Sequence, residues 1–465
     1  MKFKGLKAPN TYLIIFILLI ITAILTWIIP GGEYRRETKN NSEIVVEDSF
    51  SYSESNPQSI DDILTAPING FVDAGLIIAF VFIVGGAFEV FRRTGAVDSA
   101  IFGIVNLYND SAFVQRSLIP ILMIIFSVSG SVFGMSEEVI PFILICIPLS
   151  LMLGYDSITG VAIPFVGAGA GFAGAFLNPF TVGIAQGIAG IQIFSGIEYR
   201  IVVWIVITTV AVIFVVRYAN KIKKNPELSL TYQSDIVKKK NIDTTDLGNH
   251  KRLTARHKLV LIIFLTGIAV LVFGVLKYGW YIEEISAVFL ATGIFVGFIG
   301  KLAINQITGS FVKGAKDLLG TALIIALARG ILIIAQDGKI IDTILYNLSQ
   351  PISLLHPVIA SQVMLIVQTF INFFVPSGSG QAALTMPVMA PLADLVGVSR
   401  QTAVLAFQFG DGFSNLIIPT SAVTMGVLAL ADIPWEKWAR WILPLEIIFF
   451  IAGLLLLIPA YFIAW

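Results

Sequence analysis

Gly130-Ser131-Val132-Phe133-Gly134-Met135-Ser136-Glu137-Glu138 interrupts the apolar stretch 118–153 near its middle. A second apolar stretch, 359–395, is interrupted in the same way by Val375-Pro376-Ser377-Gly378-Ser379-Gly380-Gln381. One bilayer crossing takes about 20 residues, so each stretch is nearly twice too long for a single span. Each is therefore either two full helices joined by a loop in water, or a re-entrant hairpin whose tip stops inside the membrane. Both arrangements return the chain to the side it left, and flanking charge does not separate them. Gly, Ser and Gln suit unwound backbone that lines a cavity, where a bilayer tolerates irregular chain, and this favours hairpins.

The two breaks belong to a longer correspondence. Gly95, Ser136, Pro148, Gly154, Thr159, Val161, Gly167 and Gly169 recur, at a constant offset of 243, as Gly338, Ser379, Pro391, Gly397, Thr402, Val404, Gly410 and Gly412. The shared residues are mostly types that set backbone shape, while the apolar residues between them have drifted. Two copies of one shape in a membrane chain are a common construction for alternating access.

Composition places the chain in a membrane. Hydrophobic residues make up 56% and charged residues 13%, with a mean hydropathy of +0.87. A soluble domain carries about a quarter charged residues. The formal net charge is zero, and no basic stripe points to nucleic acid. The single cysteine, Cys146, excludes a disulfide within the chain. Lys2, Lys4 and Lys7 precede the first apolar segment, which runs into Pro30-Gly31-Gly32-Glu33 without a small-x-small cleavage site. That segment reads as a retained span.

Nine full spans are expected, near 11–29, 74–91, 158–176, 199–217, 258–277, 282–300, 316–336, 401–418 and 442–464. With the N-terminus in the cytoplasm, Arg92, Arg93, the Lys-rich 218–256 loop, Lys301, Lys313, Lys316, Lys437 and Arg440 all fall inside. The acidic 30–69 segment falls outside. From the start of the span at 74–91 to the start of its partner at 316–336 the chain makes five crossings, and an odd number reverses direction. The expected fold is an all-α polytopic membrane protein with two inverted repeats whose hairpin tips meet near the midplane. Its parts are 1–69 (first helix and outer loop), 70–217 (repeat 1), 218–256 (a solvated basic loop), 257–312 (linking helices) and 313–465 (repeat 2).

Ionisable residues at membrane depth mark function by default. Glu137 and Glu138 lie at the first tip, Asp411 in Phe409-Gly410-Asp411-Gly412-Phe413-Ser414-Asn415, and Arg329 in a further apolar span. Arg329 is either a carboxylate-binding group or one half of an ion pair that holds helices together. A protonatable glutamate would make a proton relay. Ser136 at the first tip and Ser377, Ser379 and Gln381 at the second are cavity ligands or plain turn residues; Asn178, Ser414 and Asn415 are cavity-lining donors or helix terminators. Gly169-Ala170-Gly171-Phe172-Ala173-Gly174 matches a dinucleotide fingerprint by letter only, because it follows no strand. There is no Walker A sequence, and His250, His257 and His356 sit in or beside loops. No catalytic group, metal site or cofactor is expected.

Gly134 to Phe142, Val375 to Pro387, Phe409 to Asn415 with Pro419-Thr420-Ser421, and Ile433-Pro434-Trp435-Glu436-Lys437-Trp438 together resemble the YfcC family. That family is grouped with the anaerobic C4-dicarboxylate carriers. The resemblance covers nearly the whole chain. It implies a bacterial inner-membrane secondary transporter of a small molecule, working as a homodimer among membrane lipids. Some members are associated with arginine–ornithine exchange. Divalent-anion relatives carry Ser-Asn-Thr at both tips, whereas the tips here are Ser-Glu-Glu and Ser-Gly-Ser-Gly-Gln. Dicarboxylate specificity and sodium coupling are therefore not implied. By charge, Glu137, Glu138 and Asp411 against Arg329 suit a basic amino acid moved by exchange or proton coupling; H+ or Na+ is the coupling ion, and a C4-dicarboxylate is the alternative cargo.

Overall fold

The computed structural model describes residues 11–39, 42–46, 49–241 and 253–463. Lys2, Lys4, Lys7 and His250, and parts of the acidic 30–69 segment and the 218–256 loop, lie outside the described residues. The first half holds α1 (Thr11–Ile28), α2 (Ile60–Asp73), α3 (Gly75–Arg93), α4 (Ala96–Asp110), α5 (Ala112–Phe133), α6 (Ile140–Met152), α7 (Ser157–Ala173), α8 (Ile184–Ile188) and α9 (Ile197–Lys224). Between the halves run α10 (Tyr232–Asn241) and α11 (Ala255–Tyr278). The second half holds α12 (Ile282–Ile299), α13 (Ile304–Asp317), α14 (Leu319–Asp337), α15 (Ile341–Ser349), α16 (Pro357–Phe374), α17 (Gly378–Leu395), α18 (Arg400–Ser414), α19 (Ala422–Ala431) and α20 (Trp435–Phe462). The strands among the described residues form two antiparallel ribbons between α1 and α2, 32–33 with 51–52 and 36–39 with 42–45.

Among the described residues, 8 helices are long and apolar enough to cross a bilayer: α3, α5, α9, α11, α12, α14, α16 and α20. Six of these match expected spans. The expected spans at 158–176 and 401–418 are the shorter α7 and α18, of 17 and 15 residues. Both are almost wholly buried in protein, so hydrocarbon thickness does not set their length. α5 and α16, expected as hairpin arms, have 22 and 18 residues, enough to cross on their own. Lipid-facing surface shows as apolar rows such as Leu13, Ile17, Ile21 and Ile24 on α1, all exposed.

Elements recur at nearly the sequence offset: α2, α3, α5 and α7 begin 243–245 residues before α13, α14, α16 and α18. Local chemistry recurs with them. Asp156 caps α7 by accepting from Thr159 N at 2.8 Å, and Ser399 caps α18 by accepting from Thr402 N at 3.2 Å. Packing is exchanged between the halves, since α2 lies on α14 and α13 lies on α3. These crossings are close enough for backbones to touch. A Cβ at Gly70 would strike Ala326 O, and one at Gly314 would strike Gly85 O.

The segment after α9, expected as a solvated linker, packs instead. Asp235 is buried and accepts from Ser157 N at 3.0 Å and Thr231 Oγ1 at 2.7 Å, while Lys238 Nζ donates to Ala431 O at 2.7 Å. The Ser and Thr hydroxyls let Asp235 be buried with its oxygens paired, while Lys239 and Lys240 stay exposed. The segment that follows α1 is strapped onto α15 and the residues just before it. Arg36 pairs with Asp342 at 2.8 Å, Lys339 with Glu33 at 3.0 Å, and Phe50 stacks on Tyr346 with centroids 4.1 Å apart.

Candidate functional site

The two breaks meet. A cavity of about 280 Å³ lies between tip 1 (Gly134–Val139) and tip 2 (Pro376–Ser379), walled by Phe165, Phe172, Phe180, Thr181, Tyr281 and Arg329. Gly134, at φ 74°, turns the chain out of α5, and a single 3-10 turn, Glu137–Val139, leads into α6. Glu138 Oε2 accepts from Ser136 N at 3.0 Å. Tip 2 has no 3-10 turn. Pro376 precedes Ser377, whose Oγ accepts from Gly380 N at 3.3 Å and caps α17. The start of α19 also faces the cavity, with Ser421 Oγ accepting from Thr424 N at 3.4 Å. The first N–H groups of a helix lack intrahelical partners and carry the positive end of its dipole, so both starts favour a carboxylate.

Of the residues singled out in the sequence, Ser136, Glu137, Glu138, Arg329, Ser377, Ser379 and Asn415 line this cavity. Asn178, Gln381, Asp411 and Ser414 do not; each is buried behind the wall. Asn178 Oδ1 accepts from Phe180 N at 2.9 Å and caps the turn 179–183. Gln381 Nε2 donates to Gln368 O at 2.9 Å and to Gln368 Oε1 at 2.7 Å. Ser414 Oγ accepts from Asn372 Nδ2 at 2.8 Å, and Asp411 Oδ1 accepts from Asn415 Nδ2 at 2.9 Å.

Arg329 Nε donates to Asp73 Oδ2 in an ion pair at the cavity wall. The two side chains are 32% and 45% exposed, so the pair is accessible rather than sealed in the core. Asp73, Thr181 and Tyr281 are site residues that the sequence reading missed. Asp73 and Tyr281 directly precede expected spans, where a polar residue reads as an interfacial one. A second cavity of about 430 Å³ lies beyond tip 2, rimmed by Arg36 and Lys339. Arg329, Leu332 and Ser377 line both spaces. Among the described residues no group of three or more His, Cys, Asp or Glu side chains is placed to hold a metal ion.

Residues 8–462 match the family described as "C4-dicarboxylate anaerobic carrier". The chain belongs to this family. The chain is also similar to relatives over most of their length. A protein of Escherichia coli (strain K12), named "Putative basic amino acid antiporter YfcC", is 37% identical over 93% of this chain and 92% of its own. An uncharacterized protein of Haemophilus influenzae is 30% identical over 98% of this chain and 97% of its own. The YdaH transporter structure of Alcanivorax borkumensis aligns over 97% of this chain and 98% of its own, at 14% identity and a TM-score of 0.44. As a C4-dicarboxylate anaerobic carrier family member, the chain is a polytopic inner-membrane secondary transporter rather than an enzyme.

Proposed function

We propose that this carrier moves a small carboxylate, seated with a carboxylate group against the N-termini of α17 and α19. The observation that carries the reading is the convergence of these two helix starts on one cavity walled by both tips. At about 280 Å³ the cavity falls just under the roughly 300–1,000 Å³ of pockets for drug-sized ligands. A metabolite of a few carbons suits it.

Two cargoes fit. The whole-chain family match favours a C4-dicarboxylate, and on that count it stands ahead of the basic amino acid expected from charge. With a dicarboxylate, Glu137 and Glu138 would hold protons that travel with, or make room for, the dianion. A basic amino acid is the second reading, favoured by those same acids on the wall and by the Escherichia coli relative. Its ammonium groups would face tip 1 and its α-carboxylate the helix starts. In both readings tips 1 and 2 are re-entrant hairpins of two inverted repeats. Supporting this are the element offset, the exchanged packing and the shared caps. The carrier works as a homodimer, as the family resemblance implies.

Counterflow in proteoliposomes decides the cargo. Vesicles preloaded with succinate, fumarate, arginine or ornithine are each tested for accumulation of the labelled counterpart. Accumulation of the dicarboxylates supports the first reading, and accumulation of arginine and ornithine the second. Accumulation of neither class sinks the carboxylate proposal.

A further inference from the structure

The cavity of about 430 Å³ beyond tip 2 carries the opposite charge balance to the cavity between the tips. Arg36, Lys339 and Arg329 line it against Glu33 and Asp342. Between the tips, Asp73, Glu137 and Glu138 stand against Arg329 alone. Arg329 belongs to both linings. Among the described residues it donates only through Nε, to Asp73, and its two terminal nitrogens make no hydrogen bond.

The two rim cations sit in pairs that can open. Lys339 Nζ lies 3.0 Å from Glu33 Oε1, and the two side chains are 35% and 48% exposed. Ion pairs this exposed hold weakly and exchange partners with dissolved ions. Arg36 Nη2 donates to both oxygens of Asp342, at 2.8 and 2.9 Å. Asp342 is buried, but Tyr34 N also donates to it, at 2.9 Å. Its carboxylate therefore keeps a donor when Arg36 turns to another anion. The backbone favours a cation here as well. Two residues past the end of α3 the chain turns through a left-handed residue, Gly95 at φ 75°. Two residues past the end of α14 the left-handed residue is Lys339, at φ 56°. A side chain is disfavoured in that conformation, so Lys339 is kept at a cost that its glycine counterpart avoids. Gly32 N donates to Lys339 O at 3.1 Å and holds this turn against the segment that follows α1.

We infer that this cavity is a second carboxylate site, in series with the cavity between the tips, with Arg36 and Lys339 as its ligands and Arg329 shared by both. One carboxylate accepts from a guanidinium and an ammonium at once, and charge-assisted bonds of this kind are the strong ones. With residues 30–69 outside, an anion arriving from that side meets the cationic cavity first and is concentrated there. Leu332 and Ser377 are the other residues shared by the two linings. Ser377 caps α17, so the carboxylate passes from the rim cations to a helix N-terminus across Arg329. That the occupant is the cargo rests on the proposed carboxylate reading; that the site takes a carboxylate does not.

Lys339→Gly and Glu33→Gln break the same ion pair and so separate a ligand from a strut. Counterflow of labelled succinate and of labelled arginine is measured in proteoliposomes holding the full chain. Lys339→Gly should raise KM about fivefold with kcat little changed, and Glu33→Gln, which frees the ammonium, should lower KM about twofold. The Tm of Lys339→Gly should not fall, because glycine suits the left-handed turn. A KM moved in the same direction by both variants, or by neither, overturns the site. Occupation is read without transport. Purified full-length protein in detergent is acetylated with an amine-reactive ester at constant ionic strength, and mass spectrometry follows Lys339 beside the exposed Lys301. Succinate should slow acetylation of Lys339 about fivefold and saturably, leave Lys301 unchanged, and lose this effect in Arg36→Gln. Absence of protection at Lys339 overturns the site even where counterflow succeeds. Protection without counterflow of either probe leaves the site standing and removes the cargo reading instead.

Discussion

Tips 1 and 2 sit 243 residues apart and end their breaks in different ways. Tip 1 turns at Gly134 and presents Glu137 and Glu138 from a short 3-10 turn. Tip 2 turns through Pro376 and starts a full helix at Gly378, capped by Ser377. At the same offset the two acids are replaced by Gly380 and Gln381. One tip brings carboxylates to the cavity, and the other brings the positive end of a helix dipole. The backbone breaks at both places, and the charge carried on the break differs. A site able to hold both ends of a polar substrate needs that difference.

The largest effect comes from making tip 2 resemble tip 1. Gln381→Glu would put a carboxylate where Gln381 Nε2 now donates twice to Gln368, with no exposed surface. Leaving a buried charge unpaired costs about 3–5 kcal/mol, so the variant should fail to accumulate as monodisperse protein. A normal yield and Tm would mean that the tips are interchangeable. Next is Glu138→Gln, which keeps the shape of tip 1 and removes its charge. A hydrogen bond to a charged group is worth about 1.5–3 kcal/mol, so counterflow should fall ~10–100-fold with Tm nearly unchanged. Uptake equal to wild type would remove tip 1 from the site.

Ser377→Ala sharpens the comparison from the other side. Losing an N-cap costs about 1 kcal/mol, and KM should rise ~fivefold while kcat changes little. The smallest effect lies away from both tips, at Asp342. Burial pushes its carboxyl above the usual 3.8, against the hydrogen bond from Tyr34 and the Arg36 guanidinium that pull it down. The folded state therefore holds more protons than the unfolded state just above that value, and stability falls as pH rises through the window. Asp342→Asn should remove this slope in a Tm-against-pH series. Because Arg36 is 39% exposed, losing the ion pair itself should cost no more than about 1 kcal/mol.

Much of the fold was legible because hydrocarbon imposes length. The expected spans at 74–91, 199–217, 258–277 and 282–300 match α3, α9, α11 and α12 within a few residues, apart from the polar extension that carries α9 on to Lys224. α7 and α18 were less legible, since helices wrapped in protein answer to their neighbours. The packing of 226–241 was hidden because Lys238, Lys239 and Lys240 read as solvated, while Asp235 and Ser229 find partners on distant helices. Within the site, both tips were visible as breaks in apolar runs. The partner of Arg329 was not, because Asp73 is 256 residues away and only the exchanged packing of α2 on α14 joins them. Asp411 was visible as a charge in a membrane, but its burial beside Asn415, behind the cavity wall, was not.

The crossing of α2 on α14 also sets a schedule for biogenesis. A ribosome adds about 5–20 residues per second, so Asp73 emerges on the order of 10–50 s before Arg329 exists to meet it. During that interval Gly70 has no backbone to rest against. α3 waits in the same way for α13. Neither half can reach its final packing on its own, so assembly finishes only after most of the chain has left the translocon, and a truncated product would carry its unmade crossings into the bilayer as a mark for proteolysis.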